Sequence, residues 1–178
     1  MREDLKEVLY PADVIKQRVT ELGAQISQDY AGKTPLLIGV LKGCFMFFAD
    51  IARCIDLKCE IRFLIVSSYG FSSVTSGTVS IGTELDFEIA GRDIIIIEDI
   101  LDSGVTISTL RELILKQKPS SLKMCVLLDK PARRQISIEA DYVGFLCPDE
   151  FLVGYGLDYA ESYRNLPYIA TLKPEIYM

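Results

Sequence analysis

Three carboxylates, Glu98, Asp99 and Asp102, close the most apolar run of the chain in "DIIIIEDILDSGVTIS" at 93–108, and Ser103, Gly104 and Thr106 follow at once. Unpaired carboxylates at the mouth of such a run are costly, so their placement asks for a ligand. Two of them beside a helix N-terminus suit the hydroxyls of a sugar, with or without a divalent cation, and the third is placed to exchange a proton. The turn adds two hydroxyls, a glycine that permits close backbone approach, and a helix start near Val105, whose free amides make a phosphate cradle. It is not a Walker A loop, because G-x-x-x-x-G-K-[ST] is absent. A plainer reading makes Asp102 or Ser103 a helix cap and the Glu98–Asp99 pair a solvated strand end. Three carboxylates converging on one loop weigh against it.

The remaining toolkit is narrow. The chain has no histidine, which excludes Ser-His-Asp, Cys-His and His-ligated metal chemistry and leaves carboxylates, Lys, Arg, Tyr and backbone amides. Hard cations held by oxygen become the expected cofactor class. Cys44, Cys54, Cys59, Cys125 and Cys147 form an odd set without a C-x-x-C pair and read as buried, reduced thiols.

The elements that must position these groups alternate along the chain. A helix is predicted over 11–28, a strand over 34–41, a helix over 43–55 and a strand over 59–69. The Gly/Ser/Thr-rich "GFSSVTSGTVS" reads as a long mobile loop leading into an alternating strand at 78–87. "DIIIIED" suits a central parallel strand covered on both faces, followed by a helix from Val105 to about Lys116 and a strand over 120–129. "DYVGFL" and "FLVGYG" supply two shorter strands. This alternation predicts an α/β fold: a doubly wound, mainly parallel central sheet flanked by helices, with a small hood built from terminal segments. No internal repeat or linker divides the chain, so one domain over 1–178 is expected.

With 178 residues and 49% hydrophobic content the chain can bury a real core. A net charge of −6 argues against a protein whose main task is to hold nucleic acid. "MREDLKEVLY" lacks an apolar signal core, and Lys42 and Asp50 interrupt the long apolar region after Pro35, so a cytoplasmic protein with no membrane partner is expected.

"IIIIEDILDSGVT" resembles the phosphoribosyl-pyrophosphate signature of type I phosphoribosyltransferases. "GVLKGCFMFFADI", "VSSYG", "LLDKPARR" and "PDEFLVGYGLDYAESYRNLPYI" narrow the resemblance to the hypoxanthine-guanine phosphoribosyltransferases and spread it over most of the chain from Leu36 onward. That family joins a 6-oxopurine to phosphoribosyl pyrophosphate and expels pyrophosphate with magnesium bound. The resemblance implies purine salvage yielding IMP or GMP, small-molecule substrates, Mg2+ as cofactor, and a homodimer or homotetramer.

Residue by residue, the resemblance implies the following roles. Glu98 and Asp99 contact the ribose hydroxyls directly or through the metal, and Asp102 is the general base or proton partner near purine N7. Ser103, Gly104, Val105 and Thr106 wrap the 5′-phosphate. Lys42 and Gly43 belong to the pyrophosphate loop, where the peptide bond before the lysine is often cis, and Arg164 is a further pyrophosphate contact whose guanidinium fork fits that anion. Asp158 is a second carboxylate on the magnesium side. Lys130 meets the purine O6; being donor-only, it pairs with a 6-oxo group and opposes the 6-amino group of adenine. Phe151 stacks on the purine, the Leu152 carbonyl accepts from the 2-amino group of guanine, and Ser68 and Tyr69 begin the loop that covers the site. Leu146 and Cys147 depart from the acidic and aliphatic pair of many relatives, which bears on base preference.

Two other readings remain open at this stage. A phosphoribosyltransferase for another base, xanthine or a pyrimidine, is one, with Lys130 and the 151–164 segment disfavouring the pyrimidine. A regulatory RNA-binding protein on the same fold is the other, which would need a basic face that the charge of −6 does not favour.

Overall fold

The computed structural model describes residues 1–65 and 87–177. In chain order the elements are β1 (Leu5–Tyr10), α1 (Ala12–Asp29), β2 (Leu36–Leu41), α2 (Phe45–Cys54), β3 (Glu60–Ile65), β4 (Asp93–Leu101), α3 (Val105–Lys116), β5 (Ser121–Asp129), β6 (Tyr142–Leu146), β7 (Leu152–Val153), β8 (Ile169–Leu172) and α4 (Pro174–Tyr177). Ser68, Tyr69 and most of the strand expected at 78–87 lie outside the described residues.

The isoleucines of β4 explain the layering. Side chains alternate across a strand, so Ile95 and Ile97 enter a core shared with Val19 and Leu22 of α1 and Phe47 and Ile51 of α2. Ile94 and Ile96 enter the opposite core with Ile107, Leu110 and Ile114 of α3. All four are sealed from solvent, each contributing roughly 2 kcal/mol of hydrophobic stabilisation. A strand anchored on both faces can hold polar groups at its end in fixed positions.

The five parallel strands run in the order β3-β2-β4-β5-β6. β2 is bracketed by β3 and β4, with Leu36 opposite both Glu60 and Ile94. The strand order therefore reverses between β2 and β4, and in open α/β sheets ligands bind beyond the carboxyl ends of the strands at that reversal. The expected doubly wound sheet is the one observed.

A second, antiparallel sheet of order β1-β8-β7 forms the hood from the terminal segments. The sequence pattern marks neither β1 nor β8 as a strand, because each is defined by pairing with the other, Leu5 with Leu172 and Tyr10 with Ile169. "FLVGYG" is strand only at Leu152–Val153. Gly154, Tyr155 and Gly156 take φ values of +96°, +51° and +104°, which a strand cannot accommodate. β4 runs two residues beyond the expected "DIIIIED", to Leu101, because its ladder with β5 continues through Ile100 opposite Leu128. Among the described residues no helix is long and apolar enough to cross a membrane.

Candidate active site

At the reversal point lies a cavity of about 200 Å³ whose lining includes Gly43, Glu98, Asp102, Ser103, Gly104 and Thr106. Its floor is the turn from β4 to α3. Gly104 stands at φ +82°, a conformation a side chain rarely adopts, and opens the helix without a side-chain cap. The first helical bond runs from the Ser108 N–H to the Gly104 carbonyl, so the amides of Val105, Thr106 and Ile107 have no helix partner. The Ser103 hydroxyl accepts from the Val105 N–H only at 3.4 Å. The turn is thus a set of aimed donors, and Asp102 does not cap it.

The neighbours Glu98 and Asp99 do not act as one pair on one face. Strand alternation turns Glu98 toward the α3 side, where it lines the cavity with Thr106, and Asp99 toward the α2 side, where it meets Gly43, which also lines the cavity. A Cβ on Gly43 would lie 1.9 Å from Asp99 Oδ2, so any side chain there would displace the Asp99 carboxylate. Asp99 is 7% exposed, and burial pushes its carboxyl up to about 6, against the opposing pull of the Ile100 N–H and Arg164. Glu98 is raised well above the ordinary carboxylate range by burial and by Asp99. Among the described residues its sealed Oε2 has no hydrogen-bond partner. These are not the properties of a solvated strand end.

On the hood side, Arg164 donates to the Gly156 carbonyl at 2.9 Å and pairs with Asp158 at 2.8 Å. Among the described residues its buried Nε has no partner. Glu161 accepts from both Lys42, at 3.2 Å, and Arg164, at 3.4 Å. The peptide bond Leu41–Lys42 is cis. Lys42, Gly43, Asp158 and Arg164 are thereby gathered at one mouth of the site, although they come from segments far apart in sequence. Gly156 seals the junction: a Cβ there would lie 2.1 Å from the Gly43 carbonyl oxygen.

Gly156→Ala is therefore expected to destabilise the fold by roughly 3 kcal/mol, combining backbone strain with overlap. Gly32→Ala, at φ +79° with nothing within 4 Å, should cost only about 1 kcal/mol. Chemical denaturation measures both, and equal losses would contradict the close contact.

The third wall begins at Lys130. It is 5% exposed, and its ammonium donates to the Glu150 carbonyl at 2.7 Å and pairs with Asp149 at 3.2 Å. Among the described residues two of its three N–H groups are used, leaving one donor. Arg133 lies 3.7 Å from Asp102 and 3.9 Å from Asp149, linking this wall to the floor. Phe151 stacks on Tyr177 with centroids 4.9 Å apart and meets the Tyr159 ring edge-on at 5.4 Å, so one of its faces is already occupied within the hood. Leu152 is buried in β7 opposite Thr171. Leu146 is 70% exposed, while Cys147 is buried with its thiol donating to the Asp129 carbonyl. All five cysteines are free thiols, with Cys54 and Cys59 half-buried rather than buried.

Sequence reasoning missed Glu161, Asp149, Arg133 and Arg134. The only signal was the paired arginine in "LLDKPARR" and the charge density around "DYAES".

Among the described residues no group of three or more acidic, cysteine or histidine side chains closes into a metal cage. Magnesium is commonly held by one or two carboxylates together with substrate phosphates. The partnerless Glu98 oxygen and the buried Asp99 fit that kind of site, whereas Asp158 is engaged by Arg164 and by the Glu161 N–H.

A parallel sheet with its ligand crevice at the reversal point, an acidic strand end and a glycine-opened helix define a phosphoribosyltransferase fold, and residues 7–160 match the phosphoribosyl transferase domain family. The chain belongs to the hypoxanthine-guanine phosphoribosyltransferases within that class: it is 53% identical to the hypoxanthine-guanine phosphoribosyltransferase of Bacillus subtilis, over 99% of this chain and 98% of that one. It is also 52% identical to the bifunctional protein TilS/HprT of Listeria innocua, of whose length it spans 27%. A crystal structure of a hypoxanthine phosphoribosyltransferase from Staphylococcus aureus superposes with a TM-score of 0.94 at 50% identity, covering 100% of this chain and 97% of that one.

Proposed function

We propose that this chain, as a single phosphoribosyltransferase domain over 1–178, transfers the 5-phosphoribosyl group from phosphoribosyl pyrophosphate to hypoxanthine or guanine, giving IMP or GMP and pyrophosphate in purine salvage. The observation that carries this reading is the cavity in which Glu98 and Asp102 face the bare amides of α3.

The division of labour is carried over from the family resemblance, and the geometry of the site supports it. The Val105 and Thr106 amides, with the Ser103 and Thr106 hydroxyls, hold the 5′-phosphate. Glu98 and Asp99 receive the ribose hydroxyls from opposite sides of the strand end. Lys42, Gly43 and Arg164 hold the pyrophosphate, for which Lys42 and Arg164 must release Glu161. Lys130 offers its remaining N–H to O6, Phe151 packs beside the base, and the Leu152 carbonyl accepts from a 2-amino group. Asp102 takes the proton that the purine loses as its nitrogen attacks the anomeric carbon, in an arrangement that positions the reactants and stabilises the leaving group. On the family resemblance, Glu98, Asp99 and Asp158 would hold magnesium, which when bound would neutralise charge on the leaving group. Ser68 and Tyr69 are proposed, on family resemblance alone, to belong to the loop that covers the site.

The free thiols suit a reducing compartment, in keeping with a cytoplasmic location. Assembly as a homodimer or homotetramer is carried over from the resemblance, and nothing in the reading calls for nucleic acid or a membrane as partner.

A spectrophotometric assay of nucleotide formation tests the proposal. Hypoxanthine and guanine should give product with magnesium and none after chelation by EDTA. Adenine should show at least about 100-fold lower kcat/KM, because its amino group opposes the donor-only Lys130. Absence of product with every 6-oxopurine would overturn the reading.

A further inference from the structure

We propose that Arg134 is a positioning residue that fixes the phosphate-binding turn in its active shape. This rests on the reading of residues 103–106 as the 5′-phosphate loop. The turn between β4 and α3 has little of its own to hold it: no side-chain cap stabilises the helix start, and Gly104 contributes no side chain.

What holds it comes from the segment after β5. Arg134 Nε donates to the Asp102 carbonyl at 2.9 Å and Nη2 to the Leu101 carbonyl at 3.1 Å. Nη1 donates to the Ile138 carbonyl, and Nη2 also pairs with Asp129. The Gln135 and Ile136 N–H groups donate to the Ser103 carbonyl at 2.9 and 3.3 Å, and the Lys130 N–H to Leu101 at 3.0 Å. Every carbonyl from Leu101 to Ser103 is therefore held by residues 130–136. The strap also abuts Gly104, where an added Cβ would meet Ile138 at 2.8 Å and Arg134 at 3.2 Å. Arg134 is 15% exposed, and among the described residues its hydrogen bonds to the loop go to backbone oxygens, so it acts on substrate through the turn.

A planar fork reaches three carbonyls and a carboxylate at once, which a single ammonium cannot do. Arg134→Lys keeps the charge beside Asp129 and removes the fork. Binding of IMP, and separately of pyrophosphate with magnesium present, is measured by calorimetry on folded protein, with Thr106→Ala as the control for the loop. Arg134→Lys should weaken IMP about tenfold and raise KM for phosphoribosyl pyrophosphate, leaving pyrophosphate affinity within about twofold. Should Thr106→Ala weaken IMP and Arg134→Lys leave it unchanged, the positioning role is wrong and the loop assignment stands. Should neither variant affect IMP, the loop assignment falls and the positioning role with it. Equal weakening of IMP and pyrophosphate would mean general loosening and would also overturn the proposal. If Arg134→Lys does not fold, Asp129→Asn is judged by the same criteria, because it keeps the shape of the carboxylate and removes the charge that anchors the Arg134 fork.

Discussion

Asp102→Asn should lower kcat by roughly 10²–10⁴-fold, the usual worth of a positioned acid or base, while KM for phosphoribosyl pyrophosphate changes little. Asparagine keeps the shape of aspartate and cannot exchange the proton. The turn should survive the change, because Asp102 holds its place through its main-chain carbonyl, gripped by Arg134, and not through its carboxylate. Among the described residues that carboxylate has no hydrogen bond on Oδ1, and the cation nearest to it, Arg133, is exposed and 3.7 Å away. Thermal stability should accordingly stay within about 2 °C of the parent. Steady-state kinetics across pH supply the check: a near-normal kcat with an unchanged pH–rate profile would remove Asp102 from the proton-transfer role.

Asp99→Asn should move activity and stability in opposite directions. Burial raises the Asp99 carboxyl to about 6 from its ordinary 3.8, so the folded protein binds a proton there more tightly than the unfolded chain does. Folding is unpenalised below 3.8, where both states hold the proton. The penalty grows as pH rises through that interval and is complete above about 6. The difference corresponds to roughly 3 kcal/mol at neutral pH, with the attraction to Arg164 already included. Asparagine removes the charge and its Oδ1 can still accept from the Ile100 N–H. In EDTA at pH 7.5 the variant should melt several degrees above the parent, and at pH 4 the two should coincide. Its turnover with magnesium and both substrates should fall sharply, since a ribose and metal ligand is gone. A melting difference that does not depend on pH would show that the charge is not the cause.

The parts of this architecture legible in the sequence are those whose cause is local. Four consecutive isoleucines ending in acidic residues announce a doubly covered strand with a site at its end, and the small turn announces a helix start with free amides. The hood was foreseen only in outline, because β1 and β8 become strands through a pairing that joins the two ends of the chain. The loss of strand after Val153 depends on three successive positive φ values that no periodicity reveals. Within the site, a motif presents Glu98 and Asp99 as a unit, whereas the pleat divides them between two faces. Arg134 and Glu161 stayed hidden for a related reason: their partners are backbone carbonyls or side chains from distant segments.

The division of the β4 isoleucines between two cores also bears on how the molecule comes apart. With Ile95 and Ile97 in one core and Ile94 and Ile96 in the other, the strand is a party wall, and neither core can melt while the other stays whole. Fraying can proceed at the chain ends or in exposed turns, but opening β4 requires global unfolding. The acidic end of the strand is thus among the last features the molecule gives up, and its carboxylates are placed where local fluctuation is least able to disperse them.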